Sequence, residues 1–413
     1  MNAAAVSTPR HGARLPLLAR AVLARLDRID SGALCVRRGG TVHVFGRAAG
    51  AHPPAAIEVR DPRFWQAVAL RGSIGAGEAY ADGWWSSDDP AAVARLFVRN
   101  RAVLDGLDGR MAALARPLWR ALHALRRNTL TGSRANIAAH YDLSNDFFAL
   151  FLDDTLTYSC GLYERPGASL REASLAKIDR ILDRLALAPS DHLLEIGSGW
   201  GALAERAAAT RGCRVTTTTI SRQQHAYAAQ RFARAGLGGR VTLLDADYRR
   251  LEGRYDKLVS VEMIEAVGSA YLDEFFARCG ALLAPRGRMV LQAITISDQH
   301  HDQALRSVDF IQRHIFPGCY IPSVAALASS VARTSDLRIV ALEDIGPHYA
   351  RTLADWRRNL RARWQEALAL GHSERLLRLW EFYFAYCEGG FAERFLGTAQ
   401  LVLERPLARA PAG

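Results

Sequence analysis

No apolar run in this 413-residue chain approaches the ~18 residues that a membrane span requires. The six cysteines (Cys35, Cys160, Cys213, Cys279, Cys319 and Cys387) form no CxxC pair, and no histidines cluster at metal-ligand spacing. That pattern excludes a disulfide framework and a structural zinc, and it points to a reducing cytoplasm. The opening stretch MNAAAVSTPRHGARLPLLARAVLARL breaks each apolar run with arginine, so it reads as no secretory signal. Lysine is nearly absent: Lys177 and Lys257 are the two exceptions in a basic set that is otherwise arginine.

What is present is a globular composition, 49% hydrophobic and 23% charged, with a formal net charge of +11. The surplus favours acidic partners: anionic lipid surfaces, nucleic acid or phosphorylated small molecules. The length allows two domains. Residues 1–125 read as a small α+β domain, with helical spacing over 14–30 and β-prone pieces at TVHVFG and AIEVRD. The stretch RMAALARPLWRALHALRRNTLTGSRANIAAHYD reads as a basic amphipathic helix running into a linker. Its apolar face would either pack on the core or lie on anionic phospholipid.

Residues 126–413 carry a different pattern. Apolar runs at HLLEIG, RVTTTTI, RVTLLDA, DKLVSVEM and GRMVLQAIT alternate with helical segments, and LRIVALED and AQLVLERP follow. The expectation is an α/β fold with a doubly wound, mostly parallel seven-stranded sheet. Residues 297–323 and 349–396 read as helical lid insertions at the strand ends where ligands bind in open α/β sheets.

The first run ends in a turn holding Gly197, Gly199 and Gly201, with Trp200 between the last two. Glycines let a backbone approach a nucleotide closely. A dinucleotide site would place an acidic residue about 20 positions on, after the second strand, but TTTTISRQQ offers none. Carboxylates instead stand at Glu195, inside the first strand, and at Asp247, after the third. That distribution suits S-adenosylmethionine.

Five ordered stretches, HYDLSNDFFALFLDDTLTYSCGLY (140–163), EIGSGWG, YDKLVSVEMIEAVG (255–268), FIQRHIFPG (310–318) and HYARTLADW (348–356), carry a resemblance to a known family. The chain resembles the cyclopropane-fatty-acyl-phospholipid and mycolic acid methyltransferases over residues 140–405, and GSIGAGEAYADGWW extends the likeness into the N-terminal part. The resemblance implies methyl transfer from S-adenosylmethionine to a cis double bond of a lipid acyl chain, through a cation and loss of a proton, to a cyclopropane. It implies a cytoplasmic enzyme, peripheral at the inner membrane face, that meets unsaturated phospholipid at an anionic surface as a homodimer.

The residues carried over are as follows. Tyr141, Phe316 and Tyr349 surround the cation, with Glu265 beside it. A bound bicarbonate serves as base, held by Cys160, Glu265, position 292, Tyr349 and the backbone near Ile294. The cofactor meets Tyr158 and Ser159, then Gly197, Gly199, Trp200 and Gly201, with Glu195 close by. Thr219, Ile220 and Gln224 follow on the ribose and methionine side, and Asp247 and Tyr248 lie near the adenine. Cys387 matches a cysteine credited to the family, although an alkene needs no covalent nucleophile. Glu262 takes the plain role of a cap. No metal is implied.

Position 292 departs from the pattern: Gln292 stands where the family has histidine. Glutamine donates a hydrogen bond but does not titrate. The product is therefore open between a ring and a methylene- or methyl-branched chain. Two further readings stand beside this one: a small-molecule methyltransferase of the alkaloid type, and a lipid-binding protein that has lost its chemistry. No RNA-binding module is recognisable, so nucleic acid is not an expected partner.

Overall fold

Leu193 and Leu194, adjacent in the first parallel strand, face opposite sides of a sheet and are both fully buried. Successive strand residues point to opposite faces, so a sheet covered on both sides needs such continuous apolar runs. The computed structural model describes residues 17–47, 54–107 and 143–406. The chain divides into two units, residues 1–117 with 372–389, and residues 118–371 with 390–413.

In the first unit α1 (Leu17–Leu26) precedes the hairpin of β1 (Gly32–Arg38) and β2 (Thr41–Arg47). Its two-residue turn, Gly39–Gly40, has φ of 50° and 80°, the positive values that match the twist of paired strands. β3 (Ala55–Val59) lies parallel to β1, and the short β4 (Trp85–Ser86) pairs antiparallel with β3. Between them runs α2 (Arg63–Ala81), broken at Gly72. α3 (Pro90–Arg99) starts at Asp89, whose carboxylate accepts from the amides of Ala91 and Ala92, and α4 (Arg101–Leu107) follows. The Tyr80 hydroxyl bonds Glu381 at 2.7 Å, so most of the helix Glu374–Ala392 belongs to this unit rather than to the sheet-bearing one. The expected single cut at residue 125 misses that return, and residue 125 itself lies outside the described residues.

The second unit carries β5 (His192–Ile196), β6 (Arg214–Thr219), β7 (Val241–Asp245), β8 (Tyr255–Val261), β9 (Leu283–Ile296), β10 (Arg338–Asp344) and β11 (Leu396–Glu404). Their order is β10-β11-β9-β8-β5-β6-β7. β5 to β9 pair parallel, and β11 enters antiparallel between β9 and β10. All seven strands coincide with the apolar runs of the sequence. Between the strands run α5 (Asn145–Ala149), α6 (Leu170–Leu185), α7 (Ala202–Arg211), α8 (Arg222–Arg234) and α9 (Leu272–Leu282), the first two ahead of β5.

On one face Leu193, Val215, Val259 and Val290 pack with α6, α7 and α8. On the other, Leu194, Leu258, Met289 and Leu291 pack with Phe275 and Phe276 of α9 and with Leu327 and Val331 of α12 (Val324–Thr334). Burying each such side chain contributes about 1.5–3 kcal/mol, which fixes which way every strand faces.

The segment after β9 forms α10 (Asp298–Leu305) and α11 (Phe310–His314) ahead of α12. His300 and His301 both lie on α10, and the His301 ring bonds the Tyr320 hydroxyl at 2.6 Å. α13 (Gly346–Ala362) and α14 (Trp364–Ala369) form the second insertion. The order of strands reverses at β5, so the crevice of this sheet opens beyond the carboxyl ends of β5 and β8.

Candidate active site

Glu262 leaves the end of β8 in the left-handed backbone region, at φ 49°. Its carboxylate is the convergence point of the crevice. Oε1 accepts from the backbone N–H of Cys160 at 3.0 Å and from Nε2 of Gln292 at 2.7 Å. Oε2 accepts from the Tyr349 hydroxyl at 2.6 Å. A left-handed residue with a side chain costs about 1–2 kcal/mol, while each hydrogen bond to a charged group returns about 1.5–3 kcal/mol. Three donors outweigh the strain. Burial still pushes this carboxyl above its ordinary range, with Tyr349, Gln292, the Cys160 amide and Lys177 pulling the other way.

Gln292 is fully buried and sits opposite Gln400 in the β9–β11 ladder. The Gln400 amide donates to Oε1 of Gln292 at 2.9 Å, which turns the Gln292 amide so that its N–H meets Glu262. Glu265, on the single turn Ile264–Ala266, accepts from the backbone N–H of Ile294 at 2.5 Å. Its Oε2 has no hydrogen-bond partner among the described residues. Burial, and then the nearby Glu262, push Glu265 up to about 8. Three donors support the ionised form of Glu262, whereas Glu265 has the Ile294 amide as its one donor among the described residues.

Cys160 brings its backbone, not its sulfur. The thiol is fully buried and donates to the Gly161 carbonyl at 3.3 Å. Burial, and then Glu262, push it well above the usual thiol range, so no nucleophilic thiolate forms. The preceding Ser159 accepts from the buried Lys177 ammonium at 2.8 Å. Burial lowers that lysine, while Glu262, Cys160 and Glu195 support its charge. The segment is fastened to α13, with the Gly161 amide on Thr352 and the Tyr163 amide on His348.

Aromatic faces line the same region. Tyr158 stacks on Phe316 at 6.3 Å and lies 5.1 Å from Trp356, and Phe391 stacks on Tyr349 at 4.5 Å. Phe148 and Phe151 close in behind Tyr158. Such faces stabilise a positive charge by their quadrupoles.

At the carboxyl end of β5, Gly197, Gly199 and Gly201 all have positive φ, of 96°, 50° and 91°. The amides of Gly197 and Ser198 bond the Thr218 carbonyl at 3.1 and 2.8 Å, which pins the turn to β6. A Cβ at Gly201 would meet Phe232 at 2.9 Å, whereas a Cβ at Gly199 would enter open space. That open side fits a nucleotide. Thr219 and Gln224 bond each other at 3.0 Å, with Ile220 between them in sequence, at the end of β6.

Several expected cofactor residues are turned elsewhere. Trp200 is buried and its indole donates to Asn145 at 2.8 Å, so it braces the turn from behind. Glu195 points inside the sheet and accepts from Thr217 at 2.6 Å, and burial pushes it up to about 8. Asp247 follows β7 as expected, but Arg249 occupies its carboxylate at 2.7 Å. Tyr248 packs against Phe275 in the apolar core.

Cys387 falls in the first unit, on the helix Glu374–Ala392. Tyr141 and the basic helix expected from the sequence lie outside the described residues. Two participants are additions to the sequence reading. Glu262, expected to be a plain cap, is the centre of the network, and its signal is the paired presence of Glu262 and Gln292. Gln400 leaves no signal, because only the β9–β11 register sets it beside Gln292. Among the described residues no His, Cys, Asp and Glu cluster could hold a metal.

The sequence matches the family described as mycolic acid cyclopropane synthetase over residues 128–401. It is 38% identical over 375 residues to a tuberculostearic acid methyltransferase of Mycobacterium tuberculosis, covering 88% of this chain and 87% of the relative. It is 36% identical over 366 residues to a cyclopropane-fatty-acyl-phospholipid synthase of Escherichia coli, covering 87% and 90%. The crystal structure of a mycolic acid cyclopropane synthase complexed with SAH and CTAB superposes with a TM-score of 0.62 at 33% identity, covering 66% of this chain and 98% of that one.

Proposed function

The chain belongs to the mycolic acid cyclopropane synthetase family and is an S-adenosylmethionine-dependent methyltransferase, and on that premise we propose that it methylates a cis double bond of an unsaturated phospholipid acyl chain, giving a cyclopropane chain after loss of a proton. The observation that carries this reading is the aromatic enclosure of Tyr158, Phe316, Trp356 and Tyr349 beside the Glu262 carboxylate. An alkene has no proton to remove in advance. Its methylation leaves a cation, and a cation needs what this crevice offers: π-faces, a fixed negative charge and no competing nucleophile.

S-adenosylmethionine supplies an electrophilic methyl on sulfur when bound. Gly197 and Gly199 would lie under it, with Thr219 and Gln224 alongside. The residues of the chain hold the turn, exclude water and set the carboxylate in place.

A second reading, a methylene-branched chain, is favoured by Gln292 in the place of the family histidine and by the relative named tuberculostearic acid methyltransferase. A saturated methyl branch would need a separate reduction by another donor. The proposed meeting place is an anionic membrane surface, supported by the net charge of +11. No helix among the described residues is long and apolar enough to cross a membrane.

Purified protein incubated with methyl-labelled S-adenosylmethionine and anionic vesicles of cis-unsaturated phospholipid tests the reading. Labelled cyclopropane or methylene acyl chains, read by mass spectrometry of the released fatty acids, support it. Cofactor binding without labelled lipid overturns it.

A further inference from the structure

The resemblance drawn from the sequence implies a bicarbonate base held by Cys160, Glu265, position 292, Tyr349 and the backbone near Ile294. Those donors do not fit such an ion here. The Cys160 amide, the Gln292 amide and the Tyr349 hydroxyl converge on the carboxylate of Glu262. The Ile294 amide is taken by Glu265. A free anion at this place would find its hydrogen-bond donors engaged and the Glu262 carboxylate beside it, and like charges in a low-dielectric site repel strongly.

We propose that Glu262 is the proton acceptor of the reaction, a carboxylate built into the chain at the place where a bound bicarbonate would otherwise serve. This rests on the reading that the chain methylates an alkene. Both anions present two oxygens on a planar centre, and the Glu262 carboxylate satisfies the same donors without leaving solution to do so. Oε1 has both lone pairs engaged, by Cys160 and Gln292, whereas among the described residues Oε2 accepts from Tyr349 alone. The second lone pair of Oε2 is therefore the one that takes the proton.

The step balances simply. Once the methyl has joined one alkene carbon, the neighbouring carbon bears the positive charge. A C–H bond of the new methyl breaks, its electron pair closes the third bond of the ring, and the proton passes to Oε2. If hydride first shifts from the methyl-bearing carbon to its neighbour, the same C–H pair forms an exocyclic double bond and the proton goes to the same oxygen. Glu262 thus serves either product. Gln292 and Gln400 act as positioning residues, since their amides bond in series to orient that carboxylate.

The backbone makes the proposal testable without unfolding the site. Glu262 sits at φ 49°, a conformation glycine adopts freely. Glu262→Gly should therefore fold, bind cofactor by calorimetry as the wild type does, and open a cavity lined by the three orphaned donors. The experiment measures labelled acyl product from vesicles in buffer stripped of carbon dioxide and in the same buffer with added bicarbonate, for wild type, Glu262→Gly and Glu262→Gln.

The expected result is a wild-type rate that is the same in both buffers. The Gly variant falls by about 10²–10⁴-fold without bicarbonate and partly recovers with it. The Gln variant, whose amide fills the cavity, falls likewise and does not recover. Wild-type product that depends on bicarbonate overturns the proposal, as does a Gly variant that keeps the wild-type rate in stripped buffer. Wild-type protein that labels no lipid in either buffer overturns the underlying reading, and the proposal with it.

Discussion

The Tyr349 hydroxyl donates to Oε2 of Glu262 at 2.6 Å, tying the first turns of α13 to the end of β8. Phe391 stacks on the same tyrosine at 4.5 Å, so the ring has little freedom to leave. Removing the hydroxyl while keeping the ring isolates this bond. Tyr349→Phe should lower the methylation rate by about 10–100-fold, the equivalent of one hydrogen bond to a charged group. Cofactor affinity should stay as in the wild type. A Phe variant with an unchanged rate would remove Tyr349 from the network's function.

Gln400 and Gln292 are both fully buried, and one amide orients the other. Gln400→Leu leaves the Gln292 oxygen without its donor, a loss of about 1–3 kcal/mol. The melting temperature should fall accordingly and the methylation rate should fall with it, because the Gln292 amide is freed to turn. Equal stability and equal rate in the variant would refute the relay.

The glycines of the β5 turn should separate by function. Gly201→Ala drives a Cβ into Phe232 at 2.9 Å and should lower the melting temperature. Gly199→Ala meets no atom of the described residues within 4 Å, so beyond the cost of its φ of 50° it should leave the fold standing. Calorimetry should nevertheless show weakened S-adenosylmethionine binding, since the new methyl occupies the space proposed for the ligand. Unchanged binding in the Gly199→Ala variant would move the cofactor off that side of the turn.

The Cys160 contribution comes from its amide, so Cys160→Ala should retain activity within a few-fold. The thiol, pushed well above its usual range by burial, should resist iodoacetamide at neutral pH. A collapse of activity in the Ala variant, with cofactor binding intact, would return the sulfur to the chemistry.

Glu265 gives a pH signature. Its folded carboxyl is pushed up to about 8, with burial the main cause and Glu262 the second, while an unfolded glutamate releases its proton near about 4.3. Between those values the folded chain holds a proton that the unfolded chain has lost. Stability therefore declines as pH rises, by up to about 1.4 kcal/mol per unit. Glu265→Gln should flatten the fall in melting temperature between about pH 5.5 and about pH 7.5, inside that window. Parallel curves for the two proteins would place the proton elsewhere.

The sheet is legible in the sequence because its signal is local. Runs such as HLLEIG and DKLVSVEM are continuous and apolar, and strands buried on both faces require that. The glycine turn is legible for the same reason, since three positive φ values need residues without side chains. The site is only half legible. Motif matching names Cys160, Gln292 and Tyr349 but sets their focus at Glu265, because the pattern carries no register between β8, β9 and β11. Glu262 looks like a plain cap and Gln292 like an isolated departure; the Val261–Gln292 pairing makes them neighbours. The helix Glu374–Ala392 reads as a lid because sequence order places it between two strands of the sheet, whereas most of it belongs to the N-terminal unit. Trp200 and Tyr248 read as ligand contacts because they flank the expected site, but their side chains pack inward.

The β9–β11 register has a bearing on history as well. Because Gln400 faces Gln292, and Gln292 meets Glu262, the three positions form one epistatic unit. Restoring histidine at 292 alone would strand an amide on one side and an acid on the other, so lineages that differ at one of these sites should differ at its companions. With Glu262 as the proposed proton acceptor, exchanging all three together would trade a tethered base for a diffusible one. An enzyme on the tethered side would run at a rate indifferent to the dissolved inorganic carbon of its surroundings.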